Sequence, residues 1–228
     1  MWDKFYEQFV TFGGYQNVLL GLCNTLVIAI AGLAIGIVIG TLIAVLHVAG
    51  TRSKVVRVFS AIGDVYTTIF RGTPIIVQLL IFHYIIFASV RIDGLLEAVI
   101  VFGLNSGAYV SEIMRGGIQS VDVGQLEAGR TLGLSFSITM LKVVFPQAIK
   151  NVVPTLGNEL IALTKDTSVA GYVATVDLTR AFQAIASANY EYIIPYLMLA
   201  LVYLVIVIIF TVIIRVVERR LRKSERRS

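Results

Sequence analysis

From Asn17 to Val48 the chain is one long apolar run, well beyond the ~20 residues an α-helix needs to cross a hydrocarbon core. A run of that kind leaves few folds open. In lipid every backbone N–H and C=O must be satisfied within the segment, so the expected product is a tilted transmembrane helix. Gly32, Gly36, Gly40 and Ala44 recur at every fourth position, which gathers small residues on one face where another helix can approach closely. Composition extends the conclusion to the whole chain. Of 228 residues, 57% are hydrophobic and 14% charged, the balance of a polytopic membrane protein rather than a soluble domain. The N-terminus is mildly polar and aromatic and the first apolar run is too long for an h-region, so no cleavable signal peptide is expected.

The remaining spans follow in order. Val55, Phe59, Ile62, Tyr66 and Ile69 form an apolar stripe opposite Ser60, Asp64, Thr67 and Thr68, and Asp64 then faces either water or another helix. This stretch meets Arg71-Gly72-Thr73-Pro74 and the apolar residues from Ile75 to Ala88. One straight helix from Val55 to Ala88 would be about 50 Å long, too long for one crossing, so a break is expected near Gly72 and Pro74. Further spans are expected from Leu95 to Gly116, from Gln147 to Thr164 and from Ile193 to Val217, with a polar segment from Lys165 to Glu191 that contains a helix from about Val176 to Ala186. Arg52, Lys54 and Arg57, then Arg115, Arg130, Lys142 and Lys150, then the basic C-terminus all mark one side as cytoplasmic. The reading is an all-α integral membrane fold of five transmembrane helices with the N-terminus outside. It divides into a lead over residues 1–16, a membrane domain over 17–218 and a basic cytoplasmic tail over 219–228.

Between the third and fourth spans lies the longest moderately polar stretch, Glu127 to Pro146. Leu126, Arg130 and Leu132 can share a short helix, which Gly133 can end through a left-handed backbone. Ser135 or Ser137 can cap a second helix whose Phe136, Met140, Leu141 and Val144 form one apolar side, and Pro146 can open a further helix where its missing N–H costs nothing.

Several chemistries are excluded. The net charge of +5 sits mainly in loops and the tail, so it reports topology and not nucleic-acid binding. The single cysteine, Cys23, permits no intrachain disulfide or cysteine cluster, and His47 and His83 are too far apart in sequence to suggest a metal pair. No phosphate loop, no G-x-G-x-x-G, no HExxH and no G-x-S-x-G occurs, so neither ATP binding by those devices nor enzyme activity is expected in this chain.

Glu127-Ala128-Gly129, Gly133, Val143, Phe145 and Pro146 resemble the EAA loop of ATP-binding-cassette (ABC) importer permeases, E-A-A, three residues, G, nine residues, I-x-L-P. Gly129 stands where that pattern has Ala, and Val143 and Phe145 where it has Ile and Leu. Phe70 to Pro74, Asn105 to Tyr109, Glu112 to Ile118, Gly157 to Glu159 and Lys165 to Ser168 resemble the polar amino acid branch of the same family, in the right order along nearly the whole chain. The resemblance implies a type I importer permease fold in a bacterial cell membrane. Its implied partners are a second permease subunit, identical or homologous, two ATPase subunits that carry ATP and Mg, and an extracytoplasmic amino-acid-binding protein. It also implies that the loop of Glu127, Ala128, Gly129, Gly133 and Pro146 docks on the ATPase.

Charged residues within spans need partners or a wet cavity. Glu112 and Arg115, three apart, can pair on one face. Arg71 can bind an anionic group or satisfy carbonyls freed by the helix break. Glu159 lies roughly 20 Å along its span and either touches substrate or forms a buried ion pair. Lys165, six residues on, falls off its face. Glu159, Asn158, Arg71 and Asn105 are the candidate substrate-path residues, and Glu159 favours basic amino acids among the solutes. The rival readings are a secondary transporter or channel and an ABC permease for another solute, but no internal repeat of the kind secondary transporters use is evident.

Overall fold

A computed structural model describes residues 2–49, 54–173 and 175–225. Arg52 and the last three residues of the basic tail lie outside the described residues. Among those described there is no strand. A short helix α1 (Trp2–Tyr6) and a π turn lead into α2 (Gly14–Ala49); α3 (Lys54–Gly72) and α4 (Ile75–Ile81) follow. Next come α5 (Gly94–Gln119), α6 (Val123–Thr131), α7 (Phe136–Thr139) and α8 (Phe145–Asp166). A 3₁₀ segment, Thr167–Val173, precedes α9 (Leu178–Asn189) and α10 (Ile193–Glu225).

The seam between α2 and α5 is the centre of the bundle. Without a hydrophobic drive between helices in lipid, close backbone approach and dispersion must hold them, and small residues permit both. A Cβ on Gly32 would lie 3.2 Å from the Phe102 Cβ, one on Gly36 2.5 Å from the Ser106 Oγ, and one on Gly40 2.6 Å from the Ser111 amide nitrogen. Ala44 continues the seam against Val110 and Met114. The partners advance along α5 as the glycines advance along α2, so the two helices run parallel. Asp93 starts α5 by accepting from the amides of Leu95 at 3.0 Å and Leu96 at 3.3 Å, a side-chain cap at the point where the chain re-enters the bundle.

Two buried clusters close the ends. At one end Phe5, Val18, Leu178, Phe182 and Ile206 join α1, α2, α9 and α10, and the Asn24 amide donates to the Val176 carbonyl at 2.8 Å, fixing the segment before α9 to α2. At the other end Val121, Val144 and Ala148, with Leu126 and Met140, clamp α6 and the π turn after α7 against the ends of α5 and α8.

Three described helices are long and apolar enough to cross a membrane: Gly14–Val48, Gly94–Gln119 and Ile193–Leu221. α3 with the apolar stretch after it gives a fourth if the pair counts as one span, bent by 108° at the expected break. α8, the remaining expected span, is 22 residues long but does not join them, because it carries Gln147, Lys150, Asn151, Asn158 and Glu159. Those residues need neighbouring helices to be tolerated at membrane depth. The apolar stripe of α3 faces outward: Val55, Phe59, Ile62 and Ile69 are exposed, while Gly63 and Thr67 are buried. Asp64 is exposed and also meets another helix, its Oδ1 lying 2.7 Å from the His47 Nε2 of α2.

Gly40→Val should therefore open the α2–α5 seam. Overpacking costs about 1–3 kcal/mol, so the thermal midpoint of the purified protein in detergent is expected to fall by several degrees. Gly116→Ala, where a Cβ meets nothing within 4 Å, should leave it unchanged.

Candidate functional site

The break between α3 and α4 frees backbone carbonyls from helical pairing, and each must find a donor. Gln78, one turn into α4 and buried, supplies it. Its Nε2 donates to the carbonyls of Phe70 at 2.8 Å and Thr73 at 3.0 Å. Asn105 of α5 donates through Nδ2 to the Gln78 Oε1 at 3.0 Å and reaches the Phe70 carbonyl at 3.4 Å. The elbow is thus closed by two amide side chains.

Arg71 does not perform that task. Its guanidinium lies 5.7 Å from the Tyr109 ring centroid and 3.9 Å from Glu112 Oε1. Glu112 also accepts from Arg115 at 2.5 Å, the expected pair three residues apart. All three charged side chains are partly exposed, at 45%, 34% and 47%, so these ion pairs hold little energy and leave Arg71 available to a ligand.

Asn105, Tyr109 and Glu112 follow one face of α5 at helical spacing, and Ser106 stands beside them. Ser106 donates to Glu159 Oε1 of α8 at 3.3 Å. Glu159 is half-buried, and among the described residues no ion pair joins it to Lys165 or any other cation. Asn158 is exposed on the next position of α8. Of the four candidate path residues, Arg71 and Asn105 thus meet on the α5 stripe, Glu159 reaches the neighbouring Ser106 of α5, and among the described residues no hydrogen bond or ion pair joins Asn158 to that helix. Gln78 and Ser106 escaped selection as site residues, although Gln78 carried a signal: an amide within an apolar run, four residues after a proline.

The second candidate element is the loop from Glu127. Asp122 caps α6 by accepting from the Gly124 amide at 2.7 Å. Gly133 has φ of +81°, and two hydrogen bonds close the helix end around it. The Leu134 amide donates to the Gly129 carbonyl at 3.1 Å and the Gly133 amide to that of Arg130 at 3.0 Å, the paired bonds of a Schellman cap. Of the two possible serine caps, Ser135 is the one used, accepting from the Ile138 amide at 3.4 Å. Gly129 is required by packing, since a Cβ there would lie 2.4 Å from the methyl of the buried Thr139. Pro146 lies at the start of α8, as expected, but no break precedes it. α7 passes through a π turn, Met140–Val144, directly into the first turn of α8 where Pro146 sits. Glu127, Ala128 and Arg130 are exposed, and Leu132 is 82% exposed at the tip.

Residues 36–223 match the family described as binding-protein-dependent transport system inner membrane component. The chain belongs to this family. Among its relatives, a Rickettsia prowazekii permease named for a glutamine transport system, GlnP, is 38% identical over 187 residues, covering 80% of this chain and 83% of that one. The arginine transport system permease protein ArtQ of Bacillus subtilis is 37% identical over 211 residues, covering 91% and 94%. The fold is similar to the crystal structure of an amino acid ABC transporter with histidines, with a TM-score of 0.83 and 34% identity over 94% of this chain and 98% of that one.

For this transport component, removing the donor at the elbow should matter more than removing a charge. Gln78→Leu leaves the Thr73 carbonyl without its side-chain donor and the Phe70 carbonyl with Asn105 alone, at a cost of about 1–3 kcal/mol. A lower thermal midpoint and faster proteolysis near Gly72 are expected, whereas Arg71→Gln should leave both within about 0.5 kcal/mol of wild type.

Proposed function

We propose that this chain is the membrane-spanning permease subunit of a bacterial inner-membrane ABC importer for polar amino acids. The observation that carries the reading is the α6–α7 unit. It is capped at both helix starts, locked by Gly133, wedged through Gly129 onto Thr139, and presents Glu127, Ala128 and Leu132 outward. Such a unit suits a rigid contact with a partner ATPase, which would hold ATP and Mg. Through the π turn the unit is continuous with α8, and Glu159 lies about 20 Å along that helix. Displacement of α6 and α7 would therefore tilt α8 and move Glu159 against the α5 stripe, a rigid-body route from ATP closure to the path.

In this reading the spans are α2, the α3–α4 pair, α5, α8 and α10, with the N-terminus outside and the C-terminus and the Glu127 loop inside. Two permease subunits, identical or homologous, enclose the path, and an extracytoplasmic binding protein delivers the solute. The half-buried Glu159, with Ser106 as its neutral partner, leaves a carboxylate for a substrate ammonium or basic side chain. Arg71, stacked at Tyr109, supplies the opposite charge for an α-carboxylate. The relatives named for glutamine and arginine transport support a solute of this chemistry.

The test is reconstitution with the ATPase and binding protein in proteoliposomes. Uptake should need all components and ATP; uptake by the permease alone would point to a secondary transporter instead. In the same system Glu159→Gln should slow arginine uptake by about tenfold or more, equivalent to roughly 1.4 kcal/mol, and affect glutamine less. Equal loss for both solutes would reduce Glu159 to a structural residue. Sidedness is tested separately on a Cys23→Ser background. Ser135→Cys should react with an impermeant maleimide only from inside, and Ser187→Cys only from outside; the reverse pattern would invert the topology.

A further inference from the structure

The lead ahead of α2 lies before the stretch that matches the family, which begins at residue 36, and it carries a pattern of its own. Over α1 and the π turn Glu7–Thr11, Trp2, Phe5, Tyr6 and Phe9 fall on one side at helical spacing, with Asp3, Lys4 and Glu7 on the other. The rings form a row. Trp2 stacks on Phe5 with centroids 5.6 Å apart, Phe5 on Phe9 at 5.2 Å, and Phe9 meets Tyr15 of α2 at 6.4 Å. The bundle covers only part of that side: Phe5 is buried and Phe9 partly so, in one cluster with Leu178 and Phe182 of α9, whereas Trp2, Tyr6 and Phe12 are 62%, 61% and 66% exposed. The lead is nevertheless fixed. Gly13 turns the chain at φ +72°, a Cβ on Gly14 would lie 2.6 Å from the Gln8 carbonyl oxygen, and Lys4 reaches Glu191 at 3.8 Å. That last pair brings α1 to the turn that carries Tyr190 and Tyr192, both exposed like Tyr196 in the first turn of α10. Further along the same helices the outward residues include Leu19, Leu20 and Val27 on α2 and Leu197, Leu201 and Leu204 on α10, all exposed.

We infer that α1 and the π turn form an interfacial foot that seats Trp2, Tyr6 and Phe12 in the headgroup–acyl boundary of the bilayer where α2 and α10 enter it, the outer leaflet in the proposed orientation. Trp and Tyr suit that level because the ring is apolar while its N–H or O–H needs a polar partner. The occupant of the exposed face is lipid, because the row of rings runs through Tyr15 into the outward apolar face of a membrane-spanning helix, and what covers the one covers the other. Lying in the plane of the interface, the helix buries its rings while Asp3, Lys4 and Glu7 stay hydrated on the opposite side. The foot thereby sets the depth at which the α9–α10 end of the bundle sits.

Trp2 is the chain's single tryptophan, so its fluorescence reports the depth of the foot. The assembled transporter is reconstituted in bilayers whose phospholipids carry bromine either near the headgroup end or near the methyl end of the acyl chains. The signal of Trp2→Phe is subtracted to remove tryptophans of other subunits. Quenching by the shallow bromines should exceed that by the deep ones about twofold or more, as burial of about 5–10 Å requires, and aqueous iodide should quench weakly. Tyr6→Ser, which keeps the reporter, should lower the shallow quenching. Strong iodide quenching with no effect of either brominated lipid would overturn the foot by placing α1 in water. Stronger quenching by the deep bromines would overturn it too, in favour of a lead inserted in the hydrocarbon core. Emission that ignores both brominated lipids and shifts only when the binding protein is added would give the face to a protein contact instead. The shallow pattern in a transporter that takes up no amino acid with ATP would defeat the importer reading and leave the foot standing.

Discussion

The rest of this bundle depends on the seam where α2 lies against α5, each helix setting glycines against side chains of the other. In a soluble protein the two helices would be held by burying large apolar groups; in lipid that drive is absent, and the contact must come from proximity itself. The spacing of Gly32, Gly36 and Gly40 brings the backbone of α2 against Phe102, Ser106 and Ser111. The consequence falls on the far side of α5. Once that helix is fixed at the centre, the stripe of Asn105, Tyr109 and Glu112 has a fixed direction on which the elbow of α3–α4 is assembled, and Ser106 beside it is set to meet Glu159 of α8.

Energies decide which polar residues hold the structure and which are free to act. A carbonyl left without a donor in a dry interior costs more than an exposed ion pair returns. The elbow accordingly uses Gln78 and Asn105, neutral amides that can donate and accept at once, for its freed carbonyls. The charged residues Arg71, Glu112 and Arg115 remain partly hydrated and loosely paired. Glu159 falls between these classes, with one hydroxyl partner and no cation among the described residues.

Much of this was legible in the residues. The four-residue spacing of small residues in the first apolar run named the packing face, and Gly72 with Pro74 named the break, since chain length alone forbids a straight helix there. Gly133 and Ser135 announced the turn and cap through well-defined backbone chemistry. Two things were hidden. Arg71 was the visible candidate for the freed carbonyls because it lies beside them in sequence, but the donor that reaches them is Gln78, brought round by the 108° bend. The span at α8 was expected, but the partners of its polar residues were not: Asn151 donates to the Ser120 hydroxyl just past α5 and Glu159 accepts from Ser106 of α5, contacts that no local pattern encodes.

The continuous passage from α7 through the π turn into α8 also governs how this chain can vary. A rod of that kind accepts exchange of residues along its length but not a change in their number. One residue inserted between Pro146 and Glu159 would turn the carboxylate about 100° around the axis and shift it ~1.5 Å, away from Ser106. Register in this stretch is therefore a stricter requirement than identity: length here is fixed by rotation, while the outward faces of the same helix remain free to drift.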